Sequence, residues 1–579
     1  MKHLGRINLI VATVAVASIS VGAITGLWSE SSMFMGTQAA SEQQAPKSYI
    51  IQGGNADTLV AVVEQAGGDV SRQFPIINAI SAMLTPAQAD QIKTVNGVRI
   101  LDDRTVKTMS NSKKYAIDTY VTTQINANEL HDMGITGRGV TVAVVDSGSN
   151  MGGDSGQYLF ADSEGEQRIA VKYNAFESKE TYYYNDDNNG HGSHVTGIIA
   201  SSLQDASRDF NGVAPDVYLV SVKAFDKNGN SSYSAILDSL NWIAENISKY
   251  KIKVVNLSLG AQAQSRYWND PINQAVMYLW YKGVTVVTSA GNNGEQMGIT
   301  VPGNNPYVIT VGSSSHNDSP YNTSDDRVAS FSSQGPTYEG FVKPDVVAPG
   351  TNIAVKIEDK YLSKKLRQSS TGEGYSEVSG TSQSAAVVSG IAALIIQAYP
   401  GISPDDVKCK ILHSAKVARN KSKYAYSPLI QGSGMVNALD AVRTSARACA
   451  NQGLDIRSDL TGSKHFVGSV GKKSNYWTVS LSNGKVLNQG KHWNDSKVNT
   501  NNAHWSNEVI ELEGSHWSNE SVGMHSAHWS NEMVKPMGSH WTSESVGLHS
   551  AGLDVAVTSA EANSQAEGDD VPIETEGWQ

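Results

Sequence analysis

"GVTVAVVDSG" (residues 139–148) carries apolar or β-branched side chains at every position from Val140 to Val145, then stops at Asp146-Ser147-Gly148. A strand buried on one face alternates apolar and polar residues. One that is apolar throughout is covered on both faces, as in a parallel sheet between helices. The same pattern recurs in "VYLVSVKAF" (217–225), "KVVNLSLG" (253–260), "GVTVVTSAGN" (283–292) and "YVITVGSSS" (307–315). Between these runs lie helical stretches, among them "SYSAILDSLNWIAENISKY" (232–250) and "DPINQAVMYLWYKG" (270–283). Residues 118 to about 450 are therefore expected to form an α/β domain, a parallel sheet flanked by helices. In such folds functional residues gather beyond the carboxyl ends of the strands.

Upstream, "KSYIIQGG" (47–54) reads as an edge strand and "NADTLVAVVEQAGG" (55–68) as a helix closed by glycines. "AISAMLTPAQADQIKTVNGVRILDD" (79–103) adds strand, helix and strand, a βαββαβ-like pattern for a small α+β domain. Further upstream, Lys2 and Arg6 precede the uncharged run Ile7–Leu27, with small residues at Thr37, Ala39 and Ala40. This pattern predicts an export signal over 1–40, with an uncleaved membrane anchor as the alternative. Downstream, His-Trp recurs at 492, 504, 516, 528 and 540, a period of 12 over residues 491–551. An even period puts the tryptophans on one face of a strand and the histidines on the other. A stacked β-type repeat with a Trp core is the plain reading. A Trp platform for a cell-surface or glycan contact and a His row for metal are the sharper ones. Residues 451–490 read as a linker. The acidic segment 552–579 has no Lys or Arg and reads as a disordered tail.

The composition of the 579 residues, 40% apolar with a formal net charge of −11, fits a multidomain globular protein. It lacks the basic face expected of a nucleic-acid binder. The two cysteines, Cys409 and Cys449, have no zinc-finger or Cys-x-x-Cys spacing. They form one disulfide if the chain is exported, or else stay as two buried thiols.

Serine-based amide hydrolysis needs a nucleophile, a base, a carboxylate to orient the base, and donors for the oxyanion. Asp146 ends a strand, where the plain alternative is a turn-forming Asp. His191 opens a small-residue helix in "DDNNGHGSHVTGIIAS" (186–201). A His191/His194 zinc pair lacks the Glu of His-Glu-x-x-His and any evident third ligand, and His194 reads as a core hydrogen-bonding residue. Ser382, in "SGTSQSAAVVSGIAALIIQAYP" (379–400), stands at a helix N-terminus, where its own N–H can face an oxyanion and where the alternative is an N-cap. Asn292 ends a strand, with an amide able to serve as a second donor or simply to shape a turn.

Together these segments resemble the subtilisin family (subtilases) in order and local sequence over roughly 118–445. "VAVVDSG", "HGSHVTG" and "SGTSQSA" resemble the family's Asp, His and Ser motifs, and "SAGN" its oxyanion-asparagine segment. "NLSLG", "SFSSQGP" and "KPDVVAPG" are further family-like segments. The order Asp, His, Ser is also that of subtilisin. The resemblance implies a secreted serine endopeptidase acting on proteins or peptides, with Asp146, His191 and Ser382 as triad, Asn292 in the oxyanion hole, and Ser258, Leu259 and Gly260 contacting substrate backbone. It implies that the first block, within 41–113, is an inhibitory pro-domain cut off autocatalytically near Met109–Lys113, ahead of a catalytic domain over 114–450. No cofactor is required and no metal site is assigned. Calcium, as a stabilising ion, would find oxygen ligands at Asp205, Asp209 and Asn211. Two departures stand out: Gln383 replaces the family's usual Met, and Ala386 its usual Pro. The rival readings are a non-enzymatic adhesin on a protease scaffold, and a serine esterase, which the missing Gly-x-Ser-x-Gly elbow disfavours.

Overall fold

The computed structural model describes residues 45–108 and 121–473, apart from 182–185, 206, 295, 317–324, 358–373, 421–422 and 469, together with short isolated segments up to residue 566. The expected export signal, the acidic tail except for 552 and 563–566, and nearly all of the His-Trp repeats lie outside the described residues.

The N-terminal module has strands β1 (Lys47–Gln52), β2 (Asp69–Phe74), β3 (Ala79–Leu84) and β4 (Arg99–Asp102), with helices Ala56–Gln65 and Pro86–Lys93. The βαββαβ order is as expected, and the sheet order is β2-β3-β1-β4. The expected edge strand, β1, instead lies inside the sheet, antiparallel to both β3 and β4. Its four buried residues, Tyr49–Gln52, are consistent with that place. Local signals set the helix starts. Asn55 caps the first helix through Thr58 N, and Thr85 with Gln88 forms a reciprocal capping box on the second. Tyr49, Ile51, Leu59, Val63, Ile80 and Leu84 belong to a core of the module's own.

The main sheet contains β6 (Thr141–Asp146), β7 (Ile169–Asn174), β8 (Lys179–Thr181), β9 (Tyr218–Lys223), β11 (Ile252–Leu257), β13 (Thr285–Ser289), β14 (Ile309–Ser315), β15 (Arg327–Val328) and β16 (Val346–Pro349). The order is β15-β14-β13-β11-β6-β9-β7-β8, with β16 alongside β14. Every neighbour pairs in parallel except β7–β8 and β14–β15, so the expected parallel sheet is mixed at its margins. All residues of β6 and β13 are buried, as their unbroken apolar runs require. Helices Tyr233–Tyr250 and Pro271–Tyr281 pack on each other and on the sheet. Helix Thr381–Ala398 packs along β11, β13, β14 and β16. It is long and apolar enough to cross a membrane, yet 89% of it is buried in the protein, which makes it a core helix.

Two further features place the site. Strand β5 (Thr105–Thr108) leaves the module's sheet and lies between β10 (Asn230–Ser232) and β12 (Leu259–Gly260), antiparallel to both. The segment expected to be a linker is folded against the domain in its first part. Ile456–Leu460 is helical, and Phe466, Val467 and Val470 are buried. Gly468 N donates to the Glu339 carbonyl at 2.7 Å, and Val470 N to that of Gly340 at 3.0 Å. Just before this strap, Cys449 is disulfide-bonded to Cys409, which settles the alternative left open by the sequence.

Candidate active site

Asp146 is the last residue of β6, and His191 the first of helix His191–Ala200. The His191 ring lies with Nδ1 2.7 Å from Asp146 Oδ1, and the two residues are 0% and 1% exposed. A proton on Nδ1 shared with the carboxylate leaves Nε2 as the acceptor nitrogen. Nε2 is buried and has no hydrogen-bond partner among the described residues. Asp146 also does what a turn-forming Asp does, since its Oδ1 accepts from Ser147 N at 2.7 Å. The approach of the two elements requires Gly192, where a Cβ would lie 2.1 Å from the Gly148 carbonyl oxygen.

Ser382 is the second residue of its helix, and Gly380 holds the N-cap position, so Ser382 is not the cap. Its hydroxyl donates to the Ser258 carbonyl at 3.2 Å, and the Ser258 hydroxyl donates back to the Ser382 carbonyl at 2.9 Å. The hydroxyl is thus engaged by the strand edge, while the helices bearing Ser382 and His191 pack against each other. Asn292 is fixed by its oxygen, which accepts from Thr381 N at 3.0 Å and Thr381 Oγ1 at 2.9 Å. Its amide nitrogen is buried and without a partner among the described residues, and the Thr381 that anchors it is the residue just before Ser382.

His194 goes elsewhere. Its Nε2 lies 3.0 Å from the Ile353 carbonyl and 3.1 Å from that of Ser376, a donor's position and not a metal ligand's. Burial, reinforced by the neighbouring His191, pushes its pKa down to about 3, so the ring stays neutral. Asp205 Oδ1 accepts from the Ser207 and Asp209 backbone N–H groups at 2.8 and 3.0 Å, closing its own loop.

Leu259 and Gly260 lie opposite Thr108 and Lys107 in the β5–β12 pairing. The predicted substrate edge is therefore covered by the module's own chain, and Ser258, Ser382 and His191 are all 0% exposed.

A subtilase family model, Peptidase_S8, matches residues 137–434. The chain belongs to the subtilase family. This subtilase is 35% identical over 382 residues to the serine protease AprX of Bacillus subtilis, covering 64% of this chain and 80% of that one. It is 30% identical over 415 residues to subtilisin E of the same species, covering 70% and 92%. Among solved structures it resembles fervidolysin of Fervidobacterium pennivorans, a keratinolytic enzyme related to subtilisin. The TM-score is 0.56 at 18% identity, with 86% of this chain and 70% of that one covered, a likeness of fold. The subtilase is a serine endopeptidase that hydrolyses peptide bonds.

Sequence reasoning passed over Asp187, although it stands in the quoted His191 segment. It is 1% exposed. It accepts from Ser147 Oγ (2.8 Å), Asn189 N (3.0 Å), Gly190 N (2.8 Å), Ser193 N (2.8 Å) and Ser193 Oγ (2.7 Å). One carboxylate thereby ties the turn after Asp146 to the first turn of the His191 helix. The signal was an acidic residue leading an Asn-Gly turn into a helix. Gln383, which departs from the family's usual Met, is 0% exposed, with neither amide atom bonded among the described residues.

Proposed function

We propose that this subtilase is an exported endopeptidase made as a zymogen, working through an acyl-enzyme on Ser382. Ser382 Oγ attacks the scissile carbonyl, and His191 Nε2 takes its proton and returns it to the leaving amine. Asp146 holds the Nδ1–H tautomer and stabilises the imidazolium. Asn292 Nδ2 and the Ser382 N–H receive the oxyanion. The observation that carries this reading is the buried Asp146–His191 pair, whose Nε2 no described residue bonds. Attack requires Ser382 Oγ to turn from the Ser258 carbonyl towards that nitrogen. Asn292, held by its oxygen with its N–H groups unused, supports the donor role. Residues 47–108 act in this proposal as an intramolecular inhibitor, with β5 held as a bound product would be and cleavage following within Met109–Lys113. The disulfide is consistent with an oxidising compartment. The triad chemistry requires no cofactor, and calcium enters only as a stabiliser.

Asn292→Ala is expected to keep the fold and lower kcat by about 10²–10³, the loss that follows removal of one oxyanion donor, with KM little changed. Steady-state kinetics on a peptide amide test this, and wild-type turnover would remove Asn292 from the mechanism. Ser382→Ala is expected to abolish fluorophosphonate labelling and leave the chain uncut at 109–113. An isolated Ser382→Ala precursor that matured normally would displace Ser382 as nucleophile.

A further inference from the structure

At the start of β5, Arg104 reaches out of the module into a site made wholly of residues from the catalytic domain. Its Nη2 donates to Asp270 Oδ2 at 2.8 Å, and Nη1 to the Gln262 carbonyl at 3.2 Å. Its guanidinium lies 4.1 Å from the centre of the Tyr233 ring. The Arg104 carbonyl accepts from Tyr233 N at 2.9 Å, so main chain and side chain are read together. The Asp270 side chain is 0% exposed and that of Arg104 13%.

The enzyme's half of this site does not depend on Arg104. Asp270 Oδ1 caps helix Pro271–Tyr281 by accepting from Ile272 N (2.9 Å) and Asn273 N (3.1 Å). Asp270 Oδ2 also accepts from Tyr233 OH at 2.9 Å. Carboxylate and ring are therefore held in place by the fold, a preorganised half-site for a planar cation. The chain leaving it runs directly into the slot between β10 and β12, the conformation any extended peptide must adopt there.

We propose that Asp270, Tyr233 and the Gln262 carbonyl form a guanidinium-binding subsite of the substrate cleft. It selects peptides with an arginine several residues upstream of the cut bond, and Arg104 occupies it in the uncleaved chain. The assignment rests on the reading of β5 as a substrate-like segment. A charge-assisted pair stacked on an aromatic ring favours arginine over alanine by about ten- to a hundredfold. Because the contact is remote from the reacting atoms, the difference falls mainly in KM. Lysine keeps the charge but not the planar fork, and retains only part of the gain.

The test compares peptides copying residues 101–114, unaltered and with Arg104→Ala or Arg104→Lys, as substrates of the active enzyme. The expected kcat/KM order is Arg, Lys, Ala, and Asp270→Asn, which retains Oδ1 for the cap, is expected to bring the Arg/Ala ratio towards one. Equal kcat/KM for the Arg and Ala peptides, or an undiminished ratio in Asp270→Asn, overturns the subsite. If an enzyme active on other peptides leaves the unaltered peptide uncut between 109 and 113, the self-cleavage reading fails. The subsite is then decided in the full-length Ser382→Ala chain by hydrogen exchange at Thr105–Thr108. Faster exchange on adding Arg104→Ala upholds it, and unchanged exchange overturns it.

Discussion

The catalytic domain carries one attachment at each end, and they are held differently. The N-terminal module has a hydrophobic core of its own and meets the domain through an apolar face, where Ile50, Phe74, Ile77, Ala79 and Val106 join the main core, and through polar and charged contacts: Arg104–Asp270, Arg99 to the Asn269 carbonyl (2.6 Å), Asp103 to Ser234 N (2.8 Å), and Gln52–Gln274. The C-terminal strap has no core of its own. Phe466 and Val467 join the main core, and Asp459, 3% exposed, accepts hydrogen bonds from Tyr267 OH and Tyr307 OH and binds the His465 ring at 2.7 Å. His465 also stacks on Trp268, with ring centres 4.6 Å apart. A unit with a core of its own can leave its interface and remain folded. A strap whose apolar residues complete another unit's core cannot.

The largest expected effect breaks the strap. Asp459→Ala strands the buried Tyr307 hydroxyl, leaves Tyr267 OH only the Phe466 carbonyl at 3.4 Å and removes the partner of His465. It should lower the stability of the catalytic domain by about 3–5 kcal/mol. Thermal unfolding in a Ser382→Ala background checks this, and a shift no larger than that of an exposed substitution would make the strap a passive tether.

A smaller effect sharpens the same contrast through pH. Glu339, whose carbonyl the strap holds, has its carboxyl pKa pushed up to about 7, chiefly by burial, against an ordinary value of 4.5. The folded state therefore binds more protons than the unfolded one between those values. The stability associated with this group is full below about pH 4.5 and is lost as pH rises to about 7. Glu339→Gln is expected to flatten that part of the stability–pH curve, with a gain of about 2 kcal/mol at pH 8. Unfolding midpoints at pH 5 and pH 8 measure it; equal midpoint changes at the two pH values would rule out titration of this carboxyl.

The smallest effect belongs to the module. Asp103 accepts from Ser234 N and Ser234 Oγ at the start of helix Tyr233–Tyr250, and from Ser48 Oγ at 2.8 Å. Asp103→Ala is expected to weaken docking by about 1 kcal/mol, leaving the melting of the catalytic domain unmoved. Limited proteolysis of residues 46–108 in the full-length Ser382→Ala chain follows it, and a lowered domain melting point would contradict a separable module.

The contrast also marks what sequence can show. Strands such as Thr141–Asp146 were legible because burial on both faces writes an unbroken apolar run. His191 and Ser382 were placed at helix starts because Gly, Asn and Thr lead into small-residue helices. The strap was not legible. Leu454, Ile456, Leu460, Phe466, Val467 and Val470 are too sparse for any helical or strand period, and Asp459 resembles a linker residue until Tyr267 and Tyr307 are brought to it. Asp187 was hidden similarly: its bonds to Asn189 and Gly190 are local, but the one to Ser147 spans 40 positions. The position of β1 inside its sheet and the bond from Ser382 to the Ser258 carbonyl are likewise products of long-range pairing.

The slot that holds β5 has walls on both sides, and both are main-chain edges of the enzyme. On the proposed reading of this slot as the substrate cleft, a polypeptide can enter only by surrendering several consecutive residues from whatever structure they occupy. A tightly folded target resists cutting in proportion to the free energy of freeing such a stretch, whatever side chains it offers. Frayed termini, loose loops and damaged or half-assembled proteins offer one at little cost. On that reading the architecture sorts its targets by how readily they come undone before it sorts them by sequence.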